Sequence, residues 1–185
     1  ARFGGQVTAT RDDRDALVAA VAPVLRGAFT KASGKRPVMH YHATPDVLEF
    51  VNSADVAKLA ARGTSCPDHF LRTKVKPMLV EWDVTSGTAE DLIDAAKAAL
   101  PAYADDYRAY YEANREPDSP AMRGSDPSVI LIPGVGLLSF GKNAAEARVP
   151  GVRRAEGLTT ARGPRGHPVE TRRHRRPGEQ SRGCG

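Results

Sequence analysis

The stretch 63–74 holds the densest group of side chains that could bind a substrate. It reads Gly-Thr-Ser-Cys-Pro-Asp-His-Phe-Leu-Arg-Thr-Lys. Basic side chains in such a loop can hold a phosphate or a carboxylate, and neighbouring hydroxyls can add hydrogen bonds. The candidate substrate- or phosphate-binding residues are His69, Arg72, Lys74, Thr64 and Ser65.

An internal network explains the same stretch equally well. In that interpretation Asp68 pairs with Arg72 or Lys74, and His69 hydrogen-bonds to the backbone. Loops carry functional groups and also polar groups that satisfy one another. The spacing alone therefore leaves both interpretations open.

Two histidines, His40 and His42, form a second possible site. They lie two residues apart in a predicted strand, so both imidazoles are expected on one face, a spacing that suits a metal. No third ligand is evident nearby, and two exposed or hydrogen-bonded histidines are the favoured interpretation. We assign no metal site and keep the pair as candidates only.

The Gly-Val-Gly sequence at 134–136 invites comparison with a dinucleotide-binding loop. It follows a strand-like run, as that loop does. Position 139 is Ser139 instead of the third glycine, and a second strand-like run follows where a helix is required. The pattern predicts a hairpin turn.

Predicted strands and helices alternate along the first 148 residues. Apolar residues at helical spacing, helix-capping residues and short apolar runs define the elements. Strands are predicted over 37–42, 77–82 and on both sides of the 133–136 turn, and helices over 12–26, 45–51 and 53–62, from Thr88, and again after Pro101. This order predicts one α/β domain with a mixed sheet.

Charge and composition set the end of the chain apart. Residues 1–147 hold 17 Lys+Arg against 19 Asp+Glu, whereas residues 148–185 hold ten arginines, three acidic residues, seven glycines and four prolines. All the excess positive charge lies in this tail, so nucleic-acid binding by the folded part is not expected. We predict a domain over 1–148 and a disordered tail over 149–185.

The tail has two possible origins. Arginine, glycine and proline share GC-rich codons, so a GC-rich gene read out of frame would yield such a segment, and a frameshift near Arg148 is our hypothesis. The alternative is a genuine arginine-rich arm that contacts phosphates.

The remaining composition indicates a cytoplasmic protein. The opening residues lack a signal peptide, and no apolar run approaches the roughly 20 residues of a membrane span. Cys66 and Cys184 are expected to be free thiols. No membrane partner is expected.

Four segments together resemble the bifunctional rhamnulose-1-phosphate aldolase/short-chain alcohol (lactaldehyde) dehydrogenase family. They are residues 48–52, 63–74, 118–123 and 132–142. The resemblance covers 1–148 and corresponds to the middle of the family. It implies a parent polypeptide with a zinc-dependent class II aldolase domain, which cleaves rhamnulose 1-phosphate, and a Rossmann domain, which uses NAD(P) on lactaldehyde.

The resemblance also implies that this chain is an incomplete piece of that enzyme. The family's zinc-binding histidines lie upstream of Ala1, and its cofactor loop and Tyr/Lys pair lie downstream of the matching region. We therefore expect no cofactor in this segment, no catalytic residue that can be named and no activity alone. The expected partners are the rest of the parent polypeptide, a sugar-phosphate substrate and further copies in a homo-oligomer. The alternative is a non-catalytic structural or oligomerisation module with an arginine-rich phosphate-binding arm.

The order of elements is similar to that of the class II aldolase fold itself. That fold carries His-x-His followed by Pro-Asp and a helix, and later a histidine in a strand–turn–strand. Here His40 and His42 precede Pro45, and Val135 stands near the position of the later histidine. The resemblance implies a class II aldolase-like three-layer domain, a degenerate second copy that has lost its last metal ligand.

Overall fold

The computed structural model describes residues 2–63, 73–122 and 124–148. The predicted tail over 149–185 lies outside these residues. A short 3-10 turn, Arg2–Gly4, opens the chain, and residues 144–148 are helical. The other elements are α1 (Arg14–Ser33), β1 (Val38–His42), α2 (Pro45–Val51), α3 (Val56–Ala61), β2 (Met78–Leu79), α4 (Ala89–Asn114), β3 (Val129–Ile132) and β4 (Gly136–Gly141).

The described strands form one mixed sheet in the order β1-β4-β3-β2. β3 and β4 form an antiparallel hairpin, β1 pairs antiparallel with β4, and β2 pairs parallel with β3. The predicted α/β domain with a mixed sheet is confirmed. The hairpin excludes a dinucleotide-binding loop at 134–136, because a strand follows the glycines.

The sheet separates two hydrophobic cores. Alternate residues of β3 point to opposite faces, so Ile130 and Ile132 pack with α1 and α4, whereas Val129 and Leu131 pack with α2 and α3. The sheet is therefore the middle of three layers. All four β3 side chains are buried, which explains the uninterrupted apolar run in the sequence.

Helix α1 is longer than the sequence pattern indicates. The prediction ended it before Gly27, but it continues to Ser33 and ends at Gly34, which has a left-handed φ of 69°. The extra turns bury Phe29 against Phe140, with ring centroids 4.8 Å apart. Tertiary packing thus outweighs the weak helix propensity of one glycine.

By length and composition alone α1 could cross a membrane. Helices that pack inside a folded domain can have the same length and composition. In α1, one face carries a buried stripe of Leu17, Val21 and Leu25. That stripe belongs to the core shared with α4 and the sheet. These contacts are those of an amphipathic helix that packs one face on the sheet.

Helix α4 runs through Pro101, where the prediction placed a break between two helices. An interior proline removes one backbone hydrogen bond and costs about 3 kcal/mol. Leu92, Ala96 and Tyr103 are buried on both sides of the proline, and the Tyr103 hydroxyl donates to the Lys76 carbonyl at 2.9 Å. Packing along the whole helix offsets the local penalty.

Two predicted boundaries are too wide. The strand expected over 77–82 is confined to Met78–Leu79, and the helix expected from Ser53 begins at Val56. The Ser53 hydroxyl donates to the Phe50 carbonyl at 2.7 Å, so it closes α2 instead of capping α3.

Candidate functional site

The ammonium group of Lys74 is held inside the protein. It donates to the carbonyls of Gly124, at 2.9 Å, and of Asp126. It also lies 4.4 Å from the centroid of the Tyr107 ring, within cation–π range. These contacts, which we call the Lys74 network, join the segment before β2 to α4 and to the loop before β3. They place Lys74 in an internal network, but the partner suggested for it from the sequence, Asp68, lies outside the described residues.

The Lys74 network carries two unusual features. Lys74 has a left-handed φ of 61°, which costs free energy for a residue with a side chain. Burial lowers the pKa of its ammonium to about 8, although the Asp126 carboxylate opposes this shift. Burial in turn raises the pKa of Asp126. The network thus holds a partly destabilised cation.

Lys74 should make the stability of the domain depend on pH in the alkaline range. Its pKa is about 8 when folded and 10.5 in the reference state, so the unfolded chain binds more protons between these values. Between pH 7 and pH 10, the free energy of unfolding of the wild type should rise by about 2–3 kcal/mol more than that of Lys74→Met. Urea unfolding at each pH measures this. As a control, Lys97→Met replaces an exposed lysine and should leave the change of unfolding free energy with pH as it is in the wild type. If Lys74→Met also showed the wild-type pH dependence, Lys74 would not be its source.

The other candidates in the stretch 63–74 lie outside the described residues. These are Thr64, Ser65, His69 and Arg72, together with Asp68, the pairing partner in the internal-network interpretation. Phosphate binding by this stretch therefore stays a prediction. For Lys74 itself, carbonyls take two of the three ammonium donors, which leaves at most one for a phosphate.

His40 and His42 lie side by side on edge strand β1. Their ring centroids are 4.3 Å apart in a T-shaped arrangement. Strand alternation puts both imidazoles on the face opposite Tyr41, which packs against the core of α1 and α4. The prediction that the two rings share one face is confirmed.

The imidazole of His42 takes part in a chain of hydrogen bonds. The buried Ser139 hydroxyl donates to the Ala147 carbonyl at 2.6 Å, and it lies 3.0 Å from His42 Nε2. Because a hydroxyl has one hydrogen to donate, Ser139 accepts from His42, which fixes the Nε2–H tautomer. The chain ties β1 and β4 to the helical residues 144–148.

The described residues do not fit a zinc site. Among residues 2–63, 73–122 and 124–148, no three His, Cys, Asp or Glu side chains lie close enough together to hold a metal. Val135, at the position suggested for a lost histidine, is buried in the core of α1 and α4, on the other side of the sheet from the two imidazoles. Its carbonyl accepts from the Tyr41 hydroxyl at 2.9 Å.

His42 should remain neutral well below neutral pH. Burial, and secondarily repulsion from His40, lowers its pKa to about 4 from 6.5. The unfolded chain then binds more protons between pH 6.5 and 4, so this group's contribution to stability is lost as the pH falls through that window. NMR titration of the imidazole measures the pKa. Ser139→Ala should leave the His42 pKa low, because burial is the main cause of the shift. A His42 pKa near 6.5 in the wild type would show that the imidazole is not buried as described.

Sequence reasoning missed the side chain that holds the hairpin turn. Asn52 is fully buried at the end of α2. Its Oδ1 accepts from the backbone N–H of Gly134 at 2.6 Å, and its Nδ2 donates to the Thr10 hydroxyl at 3.0 Å. Asn52 belongs to one of the segments that carry the family resemblance, which was the available signal.

Arg11 also contacts the hairpin turn, where its backbone N–H donates to the Gly134 carbonyl at 2.8 Å. Its guanidinium lies 5.6 Å from the centroid of the Trp82 ring and donates to the carbonyls of Val84 and Gly87, both at 3.0 Å. The Trp82 indole donates to the Pro133 carbonyl at 3.0 Å. The same guanidinium pairs with Asp13 at 2.8 Å. No sequence pattern singled out the role of Arg11 at the turn, because the carbonyls that it binds there lie far along the chain.

Comparison with known proteins agrees with this architecture. The family model described as aldolase class II, second domain, matches residues 16–155. The "Uncharacterized oxidoreductase YuxG" of Bacillus subtilis (strain 168) is 33% identical over 163 residues, which cover 87% of this chain and 23% of that protein. No solved structure matches. The chain thus spans about a quarter of its relative's length, and it belongs to the family of aldolase class II second domains.

Proposed function

We propose that this chain is one domain of a larger aldolase/oxidoreductase polypeptide that cleaves rhamnulose 1-phosphate and oxidises or reduces lactaldehyde. Membership in an aldolase class II family supports the first activity. The name of the Bacillus relative, an uncharacterized oxidoreductase about four times as long as the matched region, supports the second. The choice of these two substrates rests on the resemblance of the segments 48–52, 63–74, 118–123 and 132–142.

Within that polypeptide, we propose that this domain holds no metal and lies beside the catalytic aldolase domain. The observation that carries this is the position of Val135, whose buried side chain faces away from His40 and His42. The zinc and NAD(P) of the parent would then bind in its other domains. His69 and Arg72 would reach the substrate phosphate or brace the aldolase domain. A homo-oligomer in the cytoplasm is proposed as well.

A domain exchange tests the proposal. The matched quarter of the Bacillus relative is replaced by residues 1–155 of this chain, and the product is assayed for rhamnulose 1-phosphate cleavage and for lactaldehyde oxidation. We expect activity in the chimera and none in the isolated chain, with or without zinc. The unmodified relative is the matched control. If that control turns over neither substrate, the substrate assignment is wrong.

The role of this domain is tested by one further variant. His40→Ala in the chimera should leave kcat within about twofold, because a residue that binds neither metal nor substrate makes no contact that is specific to the transition state. A loss of several orders of magnitude, together with loss of bound zinc, would show that this domain holds the metal.

The frameshift hypothesis has its own test. The family match continues to residue 155, seven residues beyond the proposed boundary at 148. Resequencing the gene with its flanks should recover a longer frame by a one-base shift in this region. An uninterrupted frame that ends after Gly185 would favour the arginine-rich arm.

A further inference from the structure

The sheet has an open edge at β2. The backbone N–H of Val80 donates to the Leu131 carbonyl at 3.0 Å, which turns Val80 towards β3. Because successive residues of a strand turn their backbone groups to opposite sides, Leu79 presents its N–H and C=O to the side away from β3. Within the part of the chain that the structure describes, no strand lies on that side.

A groove runs along this open edge. It encloses about 320 Å³ between α3 and α4. Its walls are mostly small side chains, with Ala57 and Ala61 on α3 and Ala99 and Ala102 on α4, although the larger Tyr103 also lines it, and β2 forms its floor. Helices therefore flank the position that a further strand would occupy.

The groove fits an extended, apolar segment. A strand points its side chains alternately to two faces, and here each face would meet a wall of alanines with room for larger side chains. The charged residues that line the groove are Lys76 and Asp106, whose side chains pair at 2.6 Å and neutralise each other. The free N–H and C=O of Leu79 would pair with the backbone of the segment.

The length of the relative indicates the source of such a segment. This domain corresponds to 23% of the Bacillus protein, so about three quarters of that polypeptide lies outside the matched region and can supply such a segment. Strand addition to an exposed edge supplies main-chain hydrogen bonds together with pockets for alternate side chains. An uncovered edge would otherwise remain a site of unwanted association.

We infer that the open edge of β2 binds an extended apolar segment from the remaining polypeptide of its parent, added parallel or antiparallel as the next strand of the sheet. The inference rests on the proposed function only in taking the chain as a domain of a longer polypeptide. It is independent of the reaction that the polypeptide catalyses.

The experiment uses the complete 185-residue chain and peptides from the Bacillus relative. Overlapping 15-residue peptides cover the part of that protein outside the matched region, and binding is measured by fluorescence polarisation. At least one apolar peptide should bind and should slow hydrogen exchange at the Leu79 amide. Ala102→Glu, at an exposed position in the groove wall, should weaken its binding at least tenfold. Ala113→Glu, exposed on the same helix but outside the groove, should bind like the wild type.

Three results would overturn the inference. One is that no peptide binds the wild type, and another is that Ala102→Glu and Ala113→Glu bind equally well. The third is a wild-type dimer in light scattering that Ala102→Glu converts to a monomer, which would make a second copy the occupant. Catalysis is not measured here, so a wrong substrate assignment would leave these outcomes unchanged.

Discussion

Gly136→Ala is expected to lower the free energy of unfolding by about 3–5 kcal/mol, in the range of substitutions that force strain into a packed core. Gly136 opens β4 with a φ of 145°, which side chains rarely allow. A Cβ there would lie 2.6 Å from the His42 carbonyl oxygen, and a strand backbone cannot move away as a side chain can. The substitution should therefore push apart β1 and β4.

Urea unfolding followed by circular dichroism measures the loss. The control is Gly27→Ala, in the interior of α1, where a Cβ would meet nothing within 4 Å. It should stabilise the domain by about 0.5–1 kcal/mol, the usual gain for replacing a helical glycine. If Gly136→Ala were as stable as the wild type, the His42 carbonyl could not lie as close to Gly136 as described.

Asn52→Ala is expected to cost about 2–4 kcal/mol. It removes the acceptor of the buried Gly134 N–H and leaves that donor without a partner, while the Thr10 hydroxyl loses a hydrogen bond. It also opens a small cavity at a fully buried position. Thermal or urea unfolding gives the value directly.

The matched control for this substitution is Asn114→Ala. The Asn114 side chain also makes a hydrogen bond, donating to the Tyr110 carbonyl at 2.7 Å, but it is exposed at the end of α4. Water replaces the lost partner there, so the change should stay within about 0.5 kcal/mol. Similar losses in both variants would mean that Asn52 does not hold the turn.

The elements that the sequence predicted well have local signals. The helix expected from Thr88 does begin there, with a capping box in which the Asp91 N–H donates to the Thr88 hydroxyl at 3.2 Å. The hairpin at 133–136 forms because its glycines allow positive φ values between two apolar runs. Such features depend on residues within one turn of each other, and a sequence pattern records them directly.

The errors occur where distant packing outweighs a local rule. Gly27 and Pro101 are helix breakers by propensity, yet both lie inside helices whose buried stripes continue beyond them. The pairing of β2 with β3 joins residues about 50 positions apart, so no short pattern predicts the strand order. Secondary-structure propensity is a small free energy compared with the burial of several apolar side chains.

In the candidate site, too, local features could be predicted from the sequence and contacts between distant residues could not. Residue types predicted two imidazoles on one face and two possible environments for Lys74. They could not predict that Ser139 would be the partner of His42, because these residues are 97 positions apart. Nor could they show that the Val135 side chain faces the opposite core, since that depends on how the turn places it relative to β1.

The strand order has a consequence for how the domain is made. β3 and β4, the two central strands, are the last of the described strands to leave the ribosome, and β1 and β2 lie at the edges of the described sheet. At about 5–20 residues per second, roughly 100 residues must be synthesised after β1 before its partner exists. During those seconds the nascent chain exposes α1 and β1 without a sheet to cover them. Folding of this domain should therefore be late and abrupt, and nascent chains that stop before Gly141 should be substrates for chaperones.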